Sequence, residues 1–501
     1  MLPTSHIELN RYIYNTLVEH ALDPKRNNDW RLTHASIAAR FAATHYPGLL
    51  SDGRLEAAIK EIGTNIAPAS CKGRKRRRIQ GCVVHIATEL YSVGGHTRVL
   101  QRIVKTWDKV KHVVILTGVN ALPPEVPGGF GDARFIRIQK PSPQTQVREI
   151  REVVAELSPM AVILHHHPYD VIAVCALAID EPPLRIIYNH ADHRFWVGAS
   201  VADLVIDFRH IAATVSREFR GVQRSVVLPL PGPLNRITQR LRPKVRGERK
   251  NVQLISVASA YKFLPFEEFD FVADFASFLS HESNVSFDII GLGGSPWLVD
   301  YNLPANLRVW PASPHIDEWL ANSDFFIEPY PFGTALGLWD AMHFGCIPVF
   351  NYSDVSIYGV GARSLISDSY KSPSTHAEYF SQLGAFVSGM VDETLIEAIE
   401  QATEKSEISH WVCSLQTIVE SSIHEIRERP FAYPLTGREF CSDACERWAR
   451  FCATRRPAIR TLLNLLSEKK TGHMDGYFAQ RFRAFVGYAK RLIRDIRGYS
   501  F

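Results

Sequence analysis

The sequence predicts an α/β protein with two separate parallel-sheet domains, and three observations carry that prediction. Short apolar runs of strand length alternate with helical stretches, as in βαβ units with helices on both faces of a sheet. The alternation runs through once, breaks at a Pro-rich and then charged stretch, and begins again. At 501 residues the chain is also too long for one ordinary hydrophobic core.

Residues 1–75 lack strand signals. Ile37-Ala-Ala-Arg-Phe-Ala-Ala and Leu55-Glu-Ala-Ala-Ile-Lys-Glu-Ile repeat apolar residues at helical spacing, which predicts a helical N-terminal extension. The basic clump Lys72–Arg78 reads as a solvated linker. Strands are then expected at Cys82-Val-Val-His-Ile-Ala, Val113-Val-Ile-Leu-Thr, Phe135-Ile-Arg-Ile, Ala161-Val-Ile-Leu-His and Arg185-Ile-Ile-Tyr-Asn-His. With helices at Thr97–Thr106 and Thr145–Leu157, they make a Rossmann-like domain over 79–235. Residues 236–250 have the charged composition of a linker. A second Rossmann-like domain over 251–425 takes its strands from Val252-Gln-Leu-Ile-Ser-Val-Ala, Ser286-Phe-Asp-Ile-Ile-Gly, Leu307-Arg-Val-Trp, Phe325-Phe-Ile-Glu and Ile347-Pro-Val-Phe. Residues 430–501 form a helical C-terminal segment in which aromatic and apolar residues from Tyr477 to Ile496 alternate with Arg and Lys. Two readings stand for that segment: peripheral contact with an anionic membrane surface, or a helix packed back across the domains.

The totals exclude several classes. A hydrophobic fraction of 46% with 22% charged residues belongs to a soluble globular chain. No stretch approaches the roughly 18–20 apolar residues of a membrane span, and the start has no signal-peptide pattern. A cytoplasmic location is expected, or one at the inner face of the membrane. Cys82, Cys175 and Cys346 sit in apolar runs as buried thiols. Cys441, Cys445 and Cys452 lack zinc-site spacing. The net charge of +5 is mild and clumped, so no nucleic-acid partner is expected.

In open α/β sheets ligands bind beyond the carboxyl ends of the strands, so the loops there carry the chemistry. Lys262 follows the first strand of the second domain and can meet a diphosphate as a point charge. Gly291 and Gly293 lie in Gly291-Leu-Gly-Gly-Ser-Pro, where glycine permits close backbone approach. That run is not the dinucleotide fingerprint, so no NAD is implied. The run from Phe325 through Phe332-Gly333-Thr334 to Gly337-Leu-Trp-Asp340 reads as strand, loop and helix start, whose amides form an anion site. Within that helix, the Asp340 carboxylate is placed to accept from ribose hydroxyls. In the first domain, Gly94-Gly95-His96-Thr-Arg98 opens a helix after the first strand.

The ordered series of the Lys262 loop, I-I-G-L-G-G, D-F-F-I-E-P and F-G…D-A-M-x-x-G-x-I-P-V resembles the donor half of GT-B glycosyltransferases. Their last block often reads E-G-F-G-x-x-x-x-E-A-M-A-x-G-x-P-V; here the gap is two residues longer and the second glutamate is Asp340. That departure is more similar to bacterial adhesin-modifying N-glucosyltransferases, relatives of O-GlcNAc transferase, and takes away the ground for assuming retention. The resemblance covers about 350 residues and implies two Rossmann-like domains facing across a cleft. It implies a bacterial hexosyltransferase-type enzyme of polysaccharide or glycoconjugate biosynthesis. Its partners would be a nucleotide-sugar donor and a saccharide, lipid-linked or protein acceptor. By this analogy Lys262 pairs with the diphosphate, the Gly333 and Thr334 amides cradle it, Asp340 holds the ribose, and Gly94 and Gly95 approach from the opposite wall.

Histidines supply the remaining chemistry. His165-His-His167 follows one strand and Asn189-His190-Ala-Asp192-His193 another. Adjacent histidines on a loop point different ways and the helical spacing of zinc enzymes is missing, so no metal is expected. Nor is there a D-x-D motif, which fits a leaving diphosphate stabilised by lysine and amides without a metal cofactor. His190 is the first candidate for a base near neutral pH, with Asp192 or His193 orienting or replacing it and His96 beside the glycine pair. The alternatives are a nucleotide-sugar epimerase of the same fold and a non-catalytic sugar-nucleotide-binding assembly subunit. Donor sugar, nucleotide base, acceptor, stereochemistry and oligomeric state are not encoded legibly.

Overall fold

The computed structural model describes residues 5–66, 81–118, 123, 126–179, 182–234, 251–358, 362–366, 372–426 and 439–455. The basic clump 72–78, the linker 236–250 and the basic C-terminal stretch 456–501 lie outside the described residues.

Three helices come first: α1 (His6–Leu22), α2 (Asn28–Thr44) and α3 (Gly53–Asn65). Each is capped as its sequence dictates, with the Ser5, Asn27 and Asp52 side chains accepting from free amides of the first turn. Two buried charges tie this extension to the sheet domain behind it. Glu56 accepts from the amides of Gly198, Ala199 and Ser200 at 2.7, 3.2 and 3.0 Å. Arg151 donates to the carbonyls of Gly63, Ile66, Cys175, Ala176 and Ala178. A charge taken from water is tolerated only when its hydrogen bonds are replaced in this way.

The first sheet domain runs β1 (Cys82–Ala87), α4 (Gly95–Thr106), β2 (Lys111–Leu116), β3 (Arg134–Arg137), α5 (Pro143–Leu157), β4 (Ala161–His165), α6 (Val171–Leu177), β5 (Leu184–Tyr188), β6 (Leu204–Asp207), α7 (His210–Arg220) and β7 (Ser225–Val227). Its strands are all parallel, in the order β3-β2-β1-β4-β5-β6-β7. The second domain follows with β8 (Val252–Val257), α8 (Phe271–His281), β9 (Val285–Ile290), β10 (Leu307–Trp310), α9 (Asp317–Ala321), β11 (Phe325–Ile327), α10 (Leu336–His343), β12 (Ile347–Val349), α11 (His376–Val387), α12 (Glu393–Lys405) and α13 (Ile408–Ile426). Its parallel order is β10-β9-β8-β11-β12. All ten expected strands form. The central ones are buried along their whole length, as strands covered on both faces must be.

Sequence reading overlooked β6 and β7, which extend one edge of the first sheet. It also left α14 (Asp443–Arg455) undivided from the basic tail. That helix packs back on the domains. Glu446 accepts from the amides of His6 and Ile7, and the Trp448 and Phe451 rings pack against Phe332. Cys82, Cys175, Cys346, Cys445 and Cys452 are buried and belong to no disulfide. Among the described residues no helix is long and apolar enough to cross a membrane.

Candidate active site

Both sheets reverse direction at the same place in their order, between β1 and β4 in the first and between β8 and β11 in the second. A crevice opens at each such switch point beyond the carboxyl ends. Here the two crevices meet in one cavity of about 420 Å³, within the range of small-molecule sites. His96, His190, Asp192, His193, Gly94 and Gly95 line one wall, and Lys262, Gly291, Gly333 and Thr334 the other.

On the second-domain wall Lys262 Nζ donates to the Gly333 carbonyl at 2.6 Å and lies 4.8 Å from the centre of the Phe332 ring. An ammonium held by a carbonyl and a π face is positioned before any anion arrives. Gly333 itself has no room for a side chain, because a Cβ there would stand 2.0 Å from Glu328 Oε1. Gly291 takes φ +100°, and a Cβ would meet the Ala258 carbonyl at 1.9 Å. The two walls touch where Gly95 faces Leu336 at the start of α10; a Cβ on Gly95 would come within 3.3 Å of it.

On the first-domain wall the two candidate bases differ sharply. His193 shares a hydrogen bond between Nδ1 and Asp192 at 3.2 Å, and its Nε2 accepts from Arg194 Nε at 3.3 Å. Both nitrogens are therefore engaged. Burial pushes its pKa down to about 4 against the pull of Asp192. Burial opposes the charge on Asp192 too, but Arg209 at 2.6 Å and His193 outweigh it and hold the carboxyl well below the usual range. His190 is bound through one ring nitrogen, Nε2, to His165 Nδ1 at 2.9 Å. Burial, and then the neighbouring His96, depress its pKa well below 6.5, so the ring is neutral at pH 7. His96 lies tilted against it at 4.4 Å between centroids and is itself lowered to about 3 by burial and then by His167.

Two expected residues are elsewhere. Asp340 is fully buried and its carboxylate is taken by Arg98 at 2.9 Å and Arg102 at 2.8 Å, both from α4 of the first domain. It does not line the cavity, and the ribose role expected for it has no support in its position. Gly293 packs under the Trp310–Pro311 backbone, where a Cβ would lie 2.5 Å from the Trp310 carbonyl carbon. The orienting role expected of Asp192 also moves. Asp192 serves His193 and Arg209, while His190 is held by His165. Sequence reading missed Arg209, Glu328 and Tyr358 on the cavity wall and Trp448 behind it, 4.8 Å from Phe332 and 5.7 Å from His193. The signal for Glu328 was present: a carboxylate closing the apolar strand Phe325-Phe-Ile is a buried group in need of partners.

The His165-His-His167 run does point three ways. His165 faces the core, His166 meets the Val197 carbonyl at 2.7 Å and His167 the Tyr169 hydroxyl at 3.0 Å. Three imidazoles from separate elements nevertheless converge, with one nitrogen each of His96, His165 and His190 lying within 4.8 Å of the others.

No family model matches the chain, and neither does any curated relative. Solved structures do resemble it. One is the lipopolysaccharide outer core galactosyltransferase WaaB, 14% identical over 68% of this chain and 99% of its own, with a TM-score of 0.49. The O-GlcNAc transferase of Thermobaculum terrenum is 13% identical over 90% of this chain and 85% of its own, at 0.45. HepE of Anabaena, solved with UDP and glucose, is 11% identical over 68% and 100%, at 0.47. The architecture is GT-B. Two parallel sheets of matching strand order facing one cleft define it, independently of any of these likenesses.

Proposed function

We propose that the chain is a glycosyltransferase that moves a sugar from a nucleotide-diphosphate sugar to a hydroxyl or amide of a saccharide, lipid-linked or protein acceptor. The observation behind this reading is the pairing of opposite functions across one cavity. A fixed ammonium and a glycine-rich helix entry stand on one wall, and a neutral imidazole on the other. Lys262 and the helix-entry amides stabilise the negative charge that develops on a departing diphosphate, where preorganised donors act without reorganising. His190 takes the acceptor proton as the acceptor atom bonds to the anomeric carbon and the bond from that carbon to the diphosphate oxygen breaks. The nucleoside diphosphate leaves with the electron pair. Attack from the wall opposite the diphosphate inverts the anomeric centre.

A thermal-shift screen against UDP-, GDP-, ADP- and CMP-sugars, followed by transfer assays with an acceptor panel, tests the reading. His190→Ala should lower transfer by roughly 10²- to 10⁴-fold, the usual contribution of a general base, with donor affinity kept. Donor conversion without acceptor would make the chain an epimerase. Donor binding with no turnover on any acceptor would make it a non-catalytic subunit, and full activity in His190→Ala would remove the base.

A further inference from the structure

Behind His190 a file of four imidazoles crosses the first sheet. His112 lies on β2, His85 on β1, His165 at the end of β4, and His190 two residues past β5. These four strands are adjacent in the order β2-β1-β4-β5. The register pairs His112 with Val83, Ala87 with His165, and Leu164 with Ile187. Each histidine therefore sits two residues further toward the carboxyl ends than the one before it. Since side chains alternate faces with period two, all four rings stand on one face, in a diagonal row that ends at the cleft.

The rings are hydrogen-bonded nitrogen to nitrogen. His112 Nδ1 meets His85 Nε2 at 2.9 Å, His85 Nδ1 meets His165 Nε2 at 3.2 Å, and His165 Nδ1 meets His190 Nε2 at 2.9 Å. The far end is decisive: His112 Nε2 lies 2.8 Å from the Trp107 carbonyl oxygen. A carbonyl only accepts, so His112 Nε2 carries the hydrogen, and a neutral imidazole then has a lone pair on Nδ1. His85 must donate to that lone pair from Nε2, which leaves its own Nδ1 bare. The same step repeats at His165 and at His190. One backbone carbonyl thus sets four tautomers. His85 and His165 are fully buried and His112 nearly so, and burial lowers the pKa of all four, which keeps the file neutral.

We infer that His165, His85 and His112 are positioning residues that hold His190 as the Nε2–H tautomer, with its Nδ1 lone pair left to take the acceptor proton. The file orients and does not conduct, because it ends on an amide oxygen that takes no proton at neutral pH; the proton gained by His190 leaves through the cleft. The arrangement replaces the carboxylate that orients a base in other hydrolytic and transfer sites by a string of neutral rings, which adds no charge beside the sugar. The catalytic half of the inference rests on the transferase reading above; the tautomer itself does not.

Two-bond proton–nitrogen correlation spectra of the ¹⁵N-histidine-labelled full chain at pH 7.5, without substrate, test the tautomers directly. The expected result is a protonated Nε2 and a bare Nδ1 on all four rings, with slowly exchanging Nε2 protons. An Nδ1–H form at His190, or a doubly protonated ring in the file, would overturn the inference. So would stoichiometric zinc in the purified protein whose removal shifts these signals, because a metal would occupy the same lone pairs. His165→Phe should lower kcat by about 10²-fold with donor KM unchanged, the size expected when a base loses its orientation. His165→Asn offers an amide oxygen in place of Nδ1 and should recover most of that loss. Unchanged kcat in a folded His165→Phe would overturn the positioning role. Correct tautomers with a fully active His190→Ala would leave the file standing and remove the transferase base instead.

Discussion

Lys262 and His193 show how neighbouring polar groups on one cleft acquire different uses. The Lys262 ammonium is fixed by the Gly333 carbonyl and the Phe332 face, so its entropy is already lost when a donor binds. Replacing it with methionine keeps the stem against Phe332 and removes only the charge. Lys262→Met should therefore weaken donor binding by roughly 1.5–3 kcal/mol, the worth of a charged hydrogen bond, or about 10- to 100-fold in Kd. Isothermal titration with the donor found in the screen measures it, and an unchanged Kd would move the diphosphate away from this lysine. His193 has both nitrogens engaged, by Asp192 and Arg194. Its loss should disturb the Asp192–Arg209 pair and the packing of Trp448, with a smaller effect on kcat than loss of His190. Equal loss of kcat in His193→Gln and His190→Ala would contradict that ranking.

At the scale of elements, α4 and α10 are locked together across the domain boundary. Arg98 and Arg102, one turn apart on α4, both reach Asp340, and they also donate to the carbonyls of Pro314 and Pro231. Both helices begin at the cleft, so this clasp sets the distance between its walls. Asp340→Asn leaves two guanidiniums facing a neutral amide, one of them almost wholly buried. Removing one partner of a buried pair costs about 3–5 kcal/mol. A lowered urea midpoint with donor affinity largely kept is the expected outcome; lost affinity at an unchanged midpoint would return Asp340 to the ribose.

The same two helices show what sequence can and cannot reveal. The strands and the glycine loops after β9 and β11 were legible because apolar run length and glycine are local signals. The partner of Asp340 was not, although an aspartate inside Leu336-Gly-Leu-Trp-Asp-Ala-Met-His is a charge among apolar residues and had to be paired. Nothing local says that its partners lie some 240 positions earlier. The histidine file was hidden for the same reason. His85 and His112 stand in plain sight inside strands, but their alignment depends on the register between four strands, which no single segment encodes.

Taken over the whole molecule, the first domain stores an unusual liability to acid. Its eight histidines from His85 to His193 are all shifted downward, in each case with burial as the first cause. A depressed folded pKa means that below about pH 6.5 the unfolded chain binds protons that the folded chain refuses. Stability is therefore intact above pH 6.5 and falls as the pH drops through the window between 6.5 and the folded values, about 4 for His193 and about 3 for His96. One unit below 6.5, each histidine that stays neutral costs about 1.4 kcal/mol. His96 and His193, held to about 3 and about 4, stay neutral there, and the other six depressed rings act in the same direction. Glu56 and Asp207, whose carboxyls burial raises, pull the other way but are outnumbered. The expected outcome is that hydrogen-exchange protection in β1, β4 and β5 falls before that in β8 and β9 as the pH drops below 6.5. Equal protection of both sheets down to pH 5 would mean that the histidines of the first domain take up protons in the folded state by that pH.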